Sequence, residues 1–202
     1  MKEEKKNNVA LKIAKIVRVS SVPPVMVTIL IILLYFLREG IFRSWIDGVV
    51  SIMSLAVIPV LAYPISWIIP KLRAKGREGQ RNLAFALNPV GYIIAFAYGL
   101  ISRAGKDLMI IYTAYLLSVI VLLLFNKVLK FRASGHACAV TGPIVIISYY
   151  LGMWGIVGGA VVYALILWAS LAMKRHTLKE FVFGSLTSAT AFFIGVLVFG
   201  LI

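Results

Sequence analysis

Residues 108–125 read Leu-Met-Ile-Ile-Tyr-Thr-Ala-Tyr-Leu-Leu-Ser-Val-Ile-Val-Leu-Leu-Leu-Phe, a stretch without a single charge. Lys106 and Asp107 precede it and Lys127 follows it closely. A bilayer core is crossed by about 20 apolar residues in a helix. The run is continuous and does not alternate, which argues for a helix and against a strand of a membrane β-barrel. Comparable runs lie at 24–37, 49–69, 83–101, 137–151, 156–173 and 181–202. The expected fold is all-α: a polytopic transmembrane helical bundle with six to seven membrane-spanning helices. Composition agrees, because 61% of the 202 residues are hydrophobic, more than a soluble domain of this size can cover with polar surface.

The segments differ in quality. Those at 24–37 and 137–151 are short for complete spans. Pro59, Pro64 and Pro143 fall inside segments and predict kinks. Gly155 and Gly159, four apart, predict close helix contact. No repeat, long linker or low-complexity tract divides the chain. One integral membrane domain is expected over 1–202, with 1–22 a basic, partly amphipathic N-terminal segment and 23–202 the bundle. The stretch 11–18, Leu-Lys-Ile-Ala-Lys-Ile-Val-Arg, is expected along the membrane surface. The apolar run after it has no small-residue cleavage site, so it is expected to be a retained first span.

The formal net charge is +14. In a soluble protein this would suggest nucleic acid. Here the cations sit between apolar runs, where they set orientation, and no nucleic-acid partner is expected. One side takes Lys2, Lys5, Lys6, Lys12, Lys15 and Arg18, then Lys71, Arg73, Lys75, Arg77 and Arg81. It also takes Lys127, Lys130 and Arg132, then Lys174, Arg175 and Lys179. The other side takes only Arg38, Arg43, Arg103 and Lys106. The positive-inside rule then expects the N-terminus in the cytoplasm and the C-terminus outside. Cys138 is the one cysteine, so neither an intrachain disulfide nor a Cys-based zinc site is available. Trp45, Trp67, Trp154 and Tyr149 read as interface anchors.

The chain has two histidines, His136 and His176. The two segments between them are joined through Gly152-Met153-Trp154-Gly155, a turn that forces antiparallel neighbours. Both imidazoles should therefore return to one membrane face, the cytoplasmic one. His176, Glu180 and Gly184 are spaced to share one face of the last helix. A carboxylate one turn from an imidazole accepts Nδ1–H and leaves Nε2 free as a nucleophile, although Glu180 also suits a helix cap. Ser134 and Gly135, just before a helix, offer donors to an anionic oxygen. His136 beside them suits proton donation to a leaving alkoxide. Arg132, Lys130, Lys174 and Arg175 flank the histidines in sequence, and Lys75, Arg77 and Arg81 approach from the loop after the second segment. A phosphate monoester dianion calls for several such cations.

These residues resemble the type 2 phosphatidic acid phosphatase superfamily of integral membrane lipid phosphatases. Its motifs are K-x6-R-P, P-S-G-H and S-R-x5-H-x3-D. Ala133-Ser134-Gly135-His136 is similar to the second, with alanine for proline, and His176 to Glu180 is similar to the third, with glutamate for aspartate. The resemblance covers roughly the last two-thirds of the chain. It implies His176 as the phosphohistidine-forming nucleophile, Glu180 as its orienter, His136 as acid–base partner, and Ser134 and Gly135 as phosphoryl ligands. The chain departs from the pattern in two places. Ser170 stands where the third motif has arginine, with Lys174 and Arg175 as candidate substitutes. In the first motif Ala74 stands at the lysine position beside Lys75, and Asn82 follows Arg81 in place of proline. The expected activity is metal-independent hydrolysis of a phosphorylated lipid, without a cofactor. After the N-terminal tail, Glu78 and Glu180 are the only acids in the inward loops, too few to hold magnesium. The alternative is a non-catalytic lipid-phosphate binder or carrier of the same family.

Overall fold

A computed structural model describes the backbone of residues 2–200 and the side chains of residues 8–200. The side chains of Lys2, Lys5 and Lys6, and the last two residues of the segment expected at 181–202, lie outside the described residues. The described chain is helical, with no strand. The helices are α1 (Lys2–Ser20), α2 (Pro23–Leu37), α3 (Trp45–Ile68), a short α4 (Pro70–Ala74), α5 (Gly76–Ile101), α6 (Lys106–Val128), α7 (Gly135–Leu151), α8 (Met153–Ala172) and α9 (Leu178–Gly200). Five of them, α3, α5, α6, α8 and α9, are long and apolar enough to cross a membrane, and the pair α1 and α2, bent by 59°, makes up to six. The apolar runs thus become helices close to where the sequence puts them. The 17-residue α7 is too short to qualify, because at about 1.5 Å per residue it falls short of a core about 30 Å thick.

Helix α6 is central. Its apolar window is 61% buried, against 22% for α5 and 28% for α8, and it packs most extensively on α9. Ile111 and Tyr112 on α6 and Phe192 on α9 are fully buried in this core. The outer surface is apolar instead, with Phe36, Ile101, Trp154 and Leu197 exposed, as lipid contact requires. Lipid tails are as apolar as leucine, so burial alone does not drive helix association; close backbone approach and interhelical hydrogen bonds do. A Cβ at Gly155 would run into the Ile147 carbonyl, and one at Gly159 into Ile144. These contacts close the α7–α8 hairpin, whose turn passes through Gly152 at φ +59°, a backbone region suited to glycine. Thr141 Oγ1 donates to Ser185 Oγ at 3.0 Å, tying α7 to α9.

Pro59 and Pro64 lie inside α3 and Pro143 inside α7. Around Pro59 the α3 helix widens into a π-turn at Met53–Val57, since proline supplies no N–H to the preceding turn. Pro89 lies inside α5. Gly91, two residues on, lets α5 approach the Ser54 carbonyl of that turn.

The amphipathic stretch 11–18 belongs to α1. Helix α1 packs along α8, with Ala14 fully buried, while Val9, Ile13 and Ile16 face outward. The amphipathic pattern alone does not reveal that small Ala14 in the middle of the helix permits this docking.

Candidate active site

The connections after α1, between α6 and α7 and between α8 and α9 meet the start of α5 around one cavity of about 730 Å³. The linkers α2–α3 and α5–α6 meet at the far end, where Arg43 Nη1 donates to the Arg103 carbonyl at 2.7 Å. That far end holds the Arg43–Asp47 ion pair. Buried Asp47 accepts from the Arg43 N–H at 2.9 Å and from Tyr98 Oη at 2.7 Å.

The cavity is assembled from the end of α6 onward. After the π-turn Leu124–Val128 the chain reverses through Lys130 at φ +52°. Asn126 Nδ2 clamps the reversal by donating to the carbonyls of Leu122 at 2.9 Å and Ala133 at 3.1 Å. Ser134 then caps α7, its fully buried Oγ accepting from the Ala137 N–H at 3.2 Å. Helix α7 therefore begins inside the protein, and its positive N-terminal end is directed at the cavity wall formed by Gly135 and His136.

The start of α9 grips the same loop. The Ser134 N–H donates to the Glu180 carbonyl at 2.9 Å, and Gly184 lies so close to the Ser134 carbonyl that a Cβ there would collide with it. Thr177 and Glu180 form a reciprocal cap: the Glu180 N–H donates to Thr177 Oγ1 at 3.2 Å, and the Thr177 N–H to Glu180 Oε2 at 3.1 Å. The same Oε2 lies 3.3 Å from His176 Nδ1, and Oε1 lies 3.4 Å from Arg132 Nε. One carboxylate thus caps α9 and lies within hydrogen-bonding reach of the His176 ring. With the proton on Nδ1, the Nε2 lone pair of His176 is free. Burial holds His176 below the usual imidazole range, opposed by its hydrogen bond to the Glu180 carboxylate and reinforced by the charge of Arg18.

His136 and His176 both line the cavity. Of the cations expected there, Arg81, Lys130 and Arg132 line it, and Lys127 and Arg18 join them. Lys75, Arg77, Lys174 and Arg175 are exposed and outside the lining. Among the described residues no carboxylate lines the cavity, and only Arg132 of its five cations pairs with one. Much of the remaining lining is apolar, with Pro23, Pro59, Tyr63, Phe85 and Leu122, and Lys127 Nζ lies over the Phe85 ring at 5.6 Å.

The sequence reading missed two residues of α1 and its connection. Arg18 Nη1 lies 3.5 Å from Ser170 Oγ, at the position where the resemblance implies an arginine. Ser21 Oγ lies 3.5 Å from His136 Nε2. The available signal was a cation closing α1 just before Pro23-Pro24, together with a serine inside the apolar run of α8. Among the described residues no three His, Cys, Asp or Glu side chains gather as a metal-binding group. No family model, curated protein or solved structure matches the chain.

Proposed function

We propose that the protein is a membrane lipid phosphatase, hydrolysing the phosphate monoester of a lipid through a phosphohistidine. The observation that carries this reading is the composition of the cavity: two imidazoles and five cations set among apolar side chains, with no carboxylate in the lining among the described residues. Such a space suits an anionic head on an apolar chain. A phosphatidic acid, a phosphatidylglycerol phosphate and an isoprenoid or ether-lipid phosphate share this chemistry.

In this reading the phosphoryl oxygens lie among Arg81, Lys130 and Arg132 and at the N-terminus of α7. The phosphate dianion favours a proton on His136 as it binds; His176 Nε2 then attacks phosphorus in line, and the P–O bond to the lipid breaks as His136 gives that proton to the departing oxygen. His136, now neutral, takes a proton from water as that water attacks the phosphohistidine. The P–N bond breaks, inorganic phosphate leaves, and both rings return to their starting states. Glu180 keeps the His176 proton on Nδ1 throughout.

The orientation belongs to the same proposal. If α7 and the α1–α2 pair each count as one crossing, the chain crosses seven times. The cation-rich end with the cavity then faces the cytoplasm and the C-terminus lies outside. One observation favours the non-catalytic alternative: Ser170 occupies the arginine position of the family pattern.

The test is phosphate release from a panel of phosphorylated lipids by purified protein in chelator. Wild type releases phosphate, orthovanadate blocks it, and His176→Ala falls by at least about 10³-fold, as expected for loss of a nucleophile. Tight binding of lipid phosphate without turnover by wild type would select the binder instead.

A further inference from the structure

We propose that α1 completes the site in cis, with Arg18 acting as a phosphoryl-binding cation that Ser170 positions. The inference rests on the lipid-phosphate reading and adds to it an element that the sequence places outside the bundle. Three observations lead to it. First, the placement is built: α1 packs along α8 through buried Ala14, and the Arg18 guanidinium reaches the fully buried Ser170 hydroxyl, Nη1 to Oγ 3.5 Å. Second, Arg18 and the histidines share one cavity. Ser21, three residues on, contacts His136 Nε2 at 3.5 Å and turns back to the Arg18 carbonyl at 3.4 Å.

Third, the charge around Arg18 is uncompensated. The guanidinium is half-buried, and the positive charges of Arg175 and Arg77 act on it. Among the described residues no carboxylate lies within ion-pair distance of it. A half-buried cation held among like charges is costly, and a bound anion removes that cost. Contacts with Ser170 leave guanidinium N–H groups over for phosphoryl oxygens, which arginine binds in a planar fork. The serine fixes the side chain in advance, so less ordering accompanies binding.

Titrating orthovanadate into the purified full chain in chelator, followed by calorimetry and by thermal unfolding, tests this. Wild type binds it and its Tm rises with ligand by mass action. Arg18→Gln weakens binding about 10- to 100-fold, as expected for the loss of a charged hydrogen bond, and lowers kcat/KM for a lipid phosphate by a similar factor. Arg18→Lys keeps the charge and the stem but not the fork, and falls between the two; it also serves should Arg18→Gln not fold. A folded Arg18 variant that binds orthovanadate as tightly as wild type would overturn the role of Arg18 and leave the phosphatase reading standing. A wild type that neither binds orthovanadate nor releases phosphate removes the underlying reading, and this inference with it.

Discussion

Glu180 holds three things with two oxygens: the cap of α9 through the Thr177 N–H, the ring of His176, and the guanidinium of Arg132. Its charge opposes the burial that lowers His176. Replacing it by glutamine removes that opposition, so the His176 pKa falls further. In the proposed mechanism His176 attacks as the neutral ring, so the acid limb of kcat/KM is expected to move to lower pH in Glu180→Gln. The rate at the optimum drops on the order of 10³-fold, because the amide no longer enforces the Nδ1–H tautomer. A pH profile of kcat/KM for both proteins checks this; an acid limb shifted upward contradicts the assigned role. The sequence spacing put His176 and Glu180 one helical turn apart, but His176 precedes α9, and the two meet because Glu180 folds back over the Thr177 cap. Arg18 was not legible from sequence. Its partner Ser170 lies 152 positions away, and no local pattern encodes a contact that arises only when α1 docks.

Among the elements, α9 carries the tightest constraint. Gly184 lets the helix lie against the Ser134 carbonyl, which brings Glu180 and the α7 cap into register. Gly184→Ala is expected to cost about 1–3 kcal/mol from overpacking and to lower activity by displacing Ser134. Gly158 on α8 has open space where a Cβ would go, so Gly158→Ala is neutral or slightly stabilising, alanine being the better helix former. Thermal unfolding of the two variants side by side checks the contrast; equal Tm values would contradict it. The helices themselves were readable because an uncharged run is a strong signal, as at 108–125. The cap Ser134 and the reversal at Lys130 were less so, since the clamp that makes them comes from Asn126 on the preceding helix.

The whole molecule is electrostatically lopsided. One end gathers five cavity cations with a single carboxylate partner, while the other balances Arg43 with Asp47. That asymmetry was visible in the loop charges, and the fold brings the basic loops to a common end. It also makes orientation testable. Cys138 is buried, so it stays silent while single cysteines are introduced at exposed positions. Asn82→Cys is expected to react only with reagent supplied from the cytoplasm, and Ser44→Cys only with reagent supplied from outside. The reverse pattern would place the cavity on the opposite face.

The most direct measurement is to mix purified protein with a lipid whose phosphate is radiolabelled, quench in alkali, and look for label on the chain. Phosphohistidine survives that quench, and the phosphatase reading predicts label on the peptide containing His176, absent in His176→Ala. Steady release of phosphate by wild type with no labelled protein, or full turnover by His176→Ala, would contradict it.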